Sequence, residues 1–213
     1  MMAAMDEKIY AIEAGRLCLE FANTLDWHGS DHPEETLHNY ADLLQWARDR
    51  RVVDEQEVAH LQERAKREPE LAGQVYRQAL DLREAIYRTF SSLAMDDKPT
   101  LDDLDVLNAA LARSLSHLRV AGGDLNYHWL WVNPDLDLDR MIWDISLSAG
   151  RLLASDELGR VRECADPHGC GWLFLDTTKN RSRRWCSMDG CGNRAKARRH
   201  YARQKTAGQV EKA

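Results

Sequence analysis

At 213 residues and 44% hydrophobic content, the chain is long and apolar enough for one good core plus a small satellite, which excludes a disordered protein. It contains no run of about eighteen apolar residues, so no membrane span is expected. The opening MMAAMDEKIYAIEAG lacks the apolar centre of a secretory signal, which makes a cytoplasmic location the expectation. The net charge of -6 conceals a segregation: residues 161–213 carry 12 Lys+Arg against 5 Asp+Glu, leaving a balance of -13 on residues 1–160. An acidic body should repel nucleic acid and a basic tail should attract it.

The first informative stretch crowds Arg16, Glu20, Asn23, Thr24, Trp27 and His28 together. Polar groups beside aromatics suit a small-ligand pocket. The plainer reading stands beside it: Asn23, Thr24 and Asp26 cap or end a helix and Trp27 packs in a core. Cys18, among apolar neighbours, reads as packing. His28, His32 and His38 fall at loop spacing and make a weak metal signal.

Helical periodicity follows through most of the body. Leu37, Tyr40, Leu44 and Ala47 recur on one face. Asp54 with Glu57 predicts a capping box ahead of Val58, Leu61 and Ala65. From Pro69 to Met95, Leu71, Val75, Ala79, Leu82, Ile86, Phe90 and Leu93 form one stripe. Thr100 caps a helix through Leu104, Leu107, Leu111 and Leu115. Two alternating runs around Gly122-Gly123 predict a hairpin, ended by Pro134. Trp129 and Trp131 are read as packing that hairpin rather than stacking on bases. A last body helix is expected from about Leu136 to Ala154, with Met141, Ile142, Ile145, Leu152 and Leu153 inward.

The cysteines then take over. Cys164-x5-Cys170-x15-Cys186-x4-Cys191 is two close pairs around a spacer, an arrangement that commonly holds tetrahedral Zn²⁺ in a reducing compartment. The spacer predicts a β-hairpin with Leu173–Leu175 on one arm and Arg183–Trp185 on the other. Four protein ligands leave no open position, so the one zinc is structural. A metal-free pair of disulfides and a redox switch are the competing readings, and His168 is read as a bystander inside the first pair. No phosphate-cradling loop, nucleophile elbow or zincin histidine pair is present, so no enzyme is expected.

Beyond Cys191, RAKARRHYARQK holds six basic residues and no acid. Its twelve residues span about 18 Å as a helix, enough to cross a major groove about 12 Å wide. Lys196, Arg199 and Arg203 cluster on one flank, the expected contact face. Arg194, Arg198 and Lys205 form a second stripe, and Ala197, Tyr201 and Gln204 are expected to pack on the hairpin. Arg183, Arg184 and Arg194 are structural candidates too, one of them for pairing with Asp176.

Here the residues carry a resemblance. CSMDGCGNR (186–194), preceded by LFLD (173–176) and RRW (183–185), resembles the CGNR zinc finger. GRLCLEFANT (15–24) and LREAIY (82–87) look like the ABATE domain that precedes that finger. The first cysteine pair is one residue wider than the family's usual spacing, which predicts a bulge near His168-Gly169. The resemblance implies a bacterial, stress-induced transcription regulator whose finger binds DNA. The expected class is mainly α: a helical ABATE-like domain with a small β-hairpin over 1–158, a treble-clef-like or zinc-ribbon-like finger with its basic helix over 159–205, and a flexible tail over 206–213. DNA is the expected partner. The alternatives are RNA binding, or a zinc-stabilised protein-interaction or redox module. A ligand or protein partner for the N-terminal domain, and a homodimer, complete the expectations.

Overall fold

The computed structural model describes residues 16–124, 126–132 and 137–210, without the side chains of residue 16 and residues 202–210. Helix makes up 57%, which decides the class as mainly α. The body runs α1 (Arg16–Ala22), β1 (Leu25–Asp26), β2 (Glu34–Glu35), α2 (Tyr40–Asp49), α3 (Glu55–Arg67), α4 (Pro69–Ala94), α5 (Leu101–Ser116), β3 (Leu118–Gly123), β4 (Asn126–Trp131) and α6 (Arg140–Leu153). The C-terminal part adds a 3₁₀ turn (Leu158–Arg160), β5 (Val161–Glu163), β6 (Leu173–Leu175), a π-turn (Met188–Gly192) and α7 (Asn193–Val210). Among the described residues the strands form three separate antiparallel pairs, β1–β2, β3–β4 and β5–β6. No helix there is long and apolar enough to cross a membrane.

Local chemistry starts these helices where the sequence places them. Asn39 accepts from the amides of Ala41 and Asp42 at the head of α2, and Thr100 accepts from Asp103 at the head of α5. Asp54 and Glu57 form both halves of the capping box of α3. Such caps each contribute about 1 kcal/mol. α4 is the central spine and buries Val75, Ala79, Leu82, Ile86 and Phe90 as its period requires. Its first turn differs from expectation: Leu71 is 37% exposed, and the neighbouring Ala72 faces inward instead. α6 begins at Arg140, later than the Leu136 expected, and Leu136 itself lies outside the described residues.

Two buried guanidiniums lock the body. Arg83 on α4 makes a two-point contact with Glu35 at 2.7 Å on each nitrogen, and also donates to Thr24 Oγ1. Burial pushes the Glu35 carboxyl upward, but the Arg83 hydrogen bonds outweigh it and hold the carboxyl below its ordinary value. Arg140 on α6 reaches Glu57, Asp144 and the Val52 carbonyl, so α3 and α6 are tied through one side chain. The apolar core does not stop at the body. Val161 of β5, with Leu173 and Leu175 of β6, belongs to the same cluster as Leu82, Phe90 and Ile145. Burying three such side chains contributes roughly 6 kcal/mol, so the C-terminal part is docked rather than tethered.

Candidate metal centre and its docking seam

Two short pieces of chain bring each cysteine pair to a common point. Between Cys164 and Cys170, the Asp166 carbonyl accepts from Gly169 and its carboxylate accepts from the His168 amide, which closes a turn. Gly169 and Gly171 sit at φ +83° and +68°, the left-handed region that favours glycine. Between Cys186 and Cys191, the Gly192 amide donates to the Ser187 carbonyl five residues back, a π-turn capped by the Ser187 hydroxyl on Gly190. α7 starts directly from it.

The four Sγ atoms of Cys164, Cys170, Cys186 and Cys191 all lie within 4.8 Å of one another. Cys170–Cys186 and Cys186–Cys191 are both 3.7 Å apart. Zn–S bonds of about 2.3 Å give a tetrahedral edge of about 3.8 Å, whereas a disulfide needs about 2.05 Å. All four cysteines are free thiols, so the disulfide reading falls and the donor set fits one structural zinc. Thiol protons tell the same story. Cys164 is held well below its ordinary value because Cys170 and Cys186 donate to it, and those two are pushed up in return. Crowded sulfurs do not all ionise together unless a divalent cation offsets the charge. His168 is not among the ligands, and His28, His32 and His38 form no metal group among the described residues.

Cations and amides surround the sulfurs. Arg194 Nη2 donates to Cys191 Sγ at 2.8 Å while its Nε reaches Asp166 at 3.0 Å, and the Cys186 amide donates to Cys164 Sγ. Burial works against a charged Asp166, yet the His168 amide and the Arg194 guanidinium keep its carboxyl below the usual range. Such partners orient metal ligands and balance the excess negative charge of a four-thiolate zinc site. Arg198 also contacts Asp166, at 3.2 Å.

The strand pairing differs from expectation. β6 pairs with β5, in the register Val161↔Leu175 and Glu163↔Leu173, and not with Arg183–Trp185. The physical reason is Asp176. Its buried carboxylate accepts from the amides of Thr178 and Arg183 and from the Thr178 hydroxyl, and these bonds close the loop on itself. The Arg183 guanidinium turns away from Asp176 to the carbonyls of Trp185 and Cys186, and lies 4.6 Å over Phe174.

Residues 20–28 form a seam against this centre. Asn23 acts as a substitute strand on the free edge of β6: its Oδ1 accepts from the Leu173 amide and its Nδ2 donates to the Leu173 carbonyl, both at 2.9 Å. Thr24 is spent on Phe21 and Arg83. Asp26 Oδ1 accepts from the indole of Trp172 and from the Trp27 amide, at 2.8 Å each. Trp27, at φ +54°, packs in the metal cluster with Arg194 4.9 Å above its ring. His28 stacks on Tyr87 at 3.4 Å and binds Glu84 at 2.9 Å. Beyond it Gly29 donates to the Gly169 carbonyl. A Cβ on Gly171 would lie 2.7 Å from the Gly29 nitrogen and 2.9 Å from the Tyr87 hydroxyl, so the approach demands glycine. Glu20 pairs with Arg50, and the Arg16 side chain lies outside the described residues. Within the stretch read as a ligand pocket, Asn23 and Trp27 thus contact the finger, whereas Glu20, Thr24 and His28 pair with residues of the body.

On α7 the packing position is Ala195, which is buried, whereas Ala197 is exposed and Tyr201 is 67% exposed. The reason is the start point: the π-turn presents the first turn of α7 to the finger and lets later turns leave it. The helix runs on to Val210, past the Lys205 boundary expected, while residues 211–213 lie outside the described residues. Lys196 and Arg199 are exposed, with no carboxylate partner among the described residues. The side chains of Arg203, Gln204 and Lys205 are outside them. Exposed Lys179, Arg181 and Arg184 on the loop after β6 add cations that periodicity does not reveal.

Two family models match the chain. A search of curated proteins gave no match. The zinc-finger model, described as a CGNR zinc finger, covers residues 160–204 and contains all four cysteines. The other, ABATE, bears the description "Putative stress-induced transcription regulator" and covers residues 15–156. With most of its length matched and the zinc tetrad in place, the chain belongs to the ABATE family and carries a C-terminal CGNR zinc finger.

Proposed function

We propose that this regulatory zinc-binding protein is a cytoplasmic transcription regulator that binds duplex DNA through the exposed flank of α7 and the loop after β6. One observation carries the reading: Lys196 and Arg199 stand exposed, and without carboxylate partners among the described residues, on a helix whose first turn is fixed by the zinc centre. Arg203 and Lys205 continue the same basic run. Asp166 draws Arg194 and Arg198 inward, so they serve the metal centre first and phosphate second. Charge segregation supports the same surface, since an acidic body steers DNA toward the basic end.

Trp172 and Trp185 are engaged and offer single strands no free stacking face, whereas Tyr201 on α7 is 67% exposed and keeps single-stranded RNA as the second reading. Single strands need faces free for stacking. Trp172 is 37% exposed but tethered through its indole to Asp26, and Trp185 is half-buried on the metal cluster. In this reading the body sets the finger's orientation and is not itself an enzyme. A small effector would enter the groove of about 360 Å³ between α1 and β6, lined by Leu19, Glu20, Asn23, Trp172 and Arg183, where it touches body and finger together.

The test is binding to random-sequence duplex DNA as a function of salt. Replacing Lys196 and Arg199 by Ala should lower the log–log salt slope by about 1.8, with zinc content unchanged. Arg198→Ala should change the slope far less. Equal slopes for the wild type and the double variant would place the contact surface elsewhere.

A further inference from the structure

The outer edge of β6 is closed at one residue and open at the next. In the antiparallel pair with β5, the Cys164 amide donates to the Trp172 carbonyl and the Asp176 amide to the Arg160 carbonyl. Those bonds fix the parity of the ladder. Leu173 and Leu175, opposite Glu163 and Val161, therefore turn their own amides and carbonyls away from β5. At Leu173 the outward pair is closed by the Asn23 carboxamide, with both bonds at 2.9 Å. Leu175 repeats the arrangement two residues on, about 6.6 Å along the strand. Neither its amide nor its carbonyl has a partner among the described residues, although Leu175 is 7% exposed. Backbone groups of residues this buried are almost always paired.

The open station lies on the groove of about 360 Å³ between α1 and β6, where Leu175 and Thr177 form the wall beyond Asn23. That volume suits a small molecule. A peptide strand would need Leu173 as well, and Asn23 already holds it. Hydrogen-bond chemistry narrows the class further. The Leu175 amide calls for an acceptor and its carbonyl for a donor, side by side on one ligand edge. A carboxylate offers acceptors alone and would set an oxygen against the Leu175 carbonyl, whereas an amine offers donors alone. Charge also disfavours an anion. Arg183, the cation on this lining among the described residues, is held by the Trp185 and Cys186 carbonyls, while Glu20 adds a negative charge. A neutral amide satisfies both groups, and Asn23 displays that fit within the same strand.

We propose that this groove binds a small neutral ligand through a carboxamide or lactam edge, which pairs with the Leu175 amide and carbonyl as Asn23 pairs with those of Leu173. The proposal rests on the reading of this groove as the effector site and names the chemistry it takes. Titration of the zinc-loaded full chain with benzamide, followed by amide NMR, should shift the Leu175 and Thr177 resonances. Acetophenone keeps the ring and the carbonyl but carries a methyl in place of the amide nitrogen. It should bind about 10-fold more weakly, since it leaves the Leu175 carbonyl unpaired. Benzoate should bind no better than acetophenone. Glu20→Trp, on the exposed rim, should fill the groove and abolish the Leu175 shift, with zinc content and helical circular dichroism unchanged. If that variant loses helicity, Thr177→Trp on the opposite, exposed rim replaces it and should do the same. Equal affinity for benzamide and acetophenone, or a Leu175 shift that persists in a folded rim variant, would overturn the amide chemistry and leave the groove itself standing. Shifts at neither Leu175 nor Thr177 with any of the three compounds would overturn the effector groove along with it.

Discussion

The helical body and the zinc finger are held together by different physics. The body buries a continuous apolar core from α1 to α6, and its helices start at side-chain caps that need no partner far away. The finger's own cluster is Cys164, Cys170, Phe174 and Cys191, with Trp185 and Cys186 partly buried and Trp27 contributed by the body. Three of its four fully buried members are metal ligands. Removing the ion therefore removes most of what makes the finger cohere, while the body keeps its core. The finger is nonetheless not autonomous, because β5 and β6 lend Val161, Leu173 and Leu175 to the body's core. Orientation comes from burial and closure comes from the metal.

The largest break in that contrast is zinc removal. Structural zinc in small fingers contributes on the order of 10 kcal/mol. Chelation, or Cys170→Ser, should abolish amide protection over residues 165–172 and from residue 183 through the first turns of α7, and leave β6 and the helices of the body protected. Hydrogen exchange with metal analysis checks this, starting from one zinc per chain. Global unfolding of the body on chelation would show that the two regions share one cooperative unit. The complementary break strikes the body. Glu35→Gln leaves the buried Arg83 with Glu84 as its remaining carboxylate and should cost about 2 kcal/mol of global stability with zinc stoichiometry intact. Acid should do the same to the wild type. Because Arg83 holds the Glu35 carboxyl below its ordinary 4.5, the pair's contribution is complete above that pH and fades as pH falls through the lower folded value. Denaturation midpoints of wild type and variant should therefore converge in acid, and a gap that persists there would reject the assignment.

What the sequence disclosed follows the same division. The ligands are readable because metal coordination constrains spacing, and the caps at Asp54 and Thr100 are readable because their partners lie two or three residues away. The pairing of β6 was not, since Asp176 closes its loop with backbone amides that leave no periodic trace. Tyr201 was misplaced because a wheel gives the angles between residues and not which angle faces the protein. Of the residues read as a pocket, Asn23 and Trp27 have partners in the finger that no local pattern discloses. The partners of Asn23 and Asp26 lie 150 and 146 residues away, beyond any local pattern. The resemblance in LREAIY carries the same meaning: Arg83 holds Glu35 and Thr24, while Glu84 and Tyr87 hold His28 beneath the finger.

The finest probe of the contrast is the seam itself, where Asn23 serves both regions. Truncation in Asn23→Ala deletes the partner of the Leu173 amide and carbonyl at a part-buried site. Two such bonds are worth about 2 kcal/mol, because stranded backbone groups lose more than the bonds' net value. The cost should fall on docking and neither on the tetrad nor on the caps. Zinc stoichiometry and global melting should change little, while exchange of the β6 amides should accelerate by about 30-fold. Asn23→Asp sharpens the result, since it keeps an acceptor for the Leu173 amide and loses the donor to the carbonyl, and should fall between wild type and Ala. Were Asn23→Ala instead to lower zinc affinity as strongly as loss of a cysteine, the metal and the seam would be a single device, and the division of labour drawn between the two regions would fail.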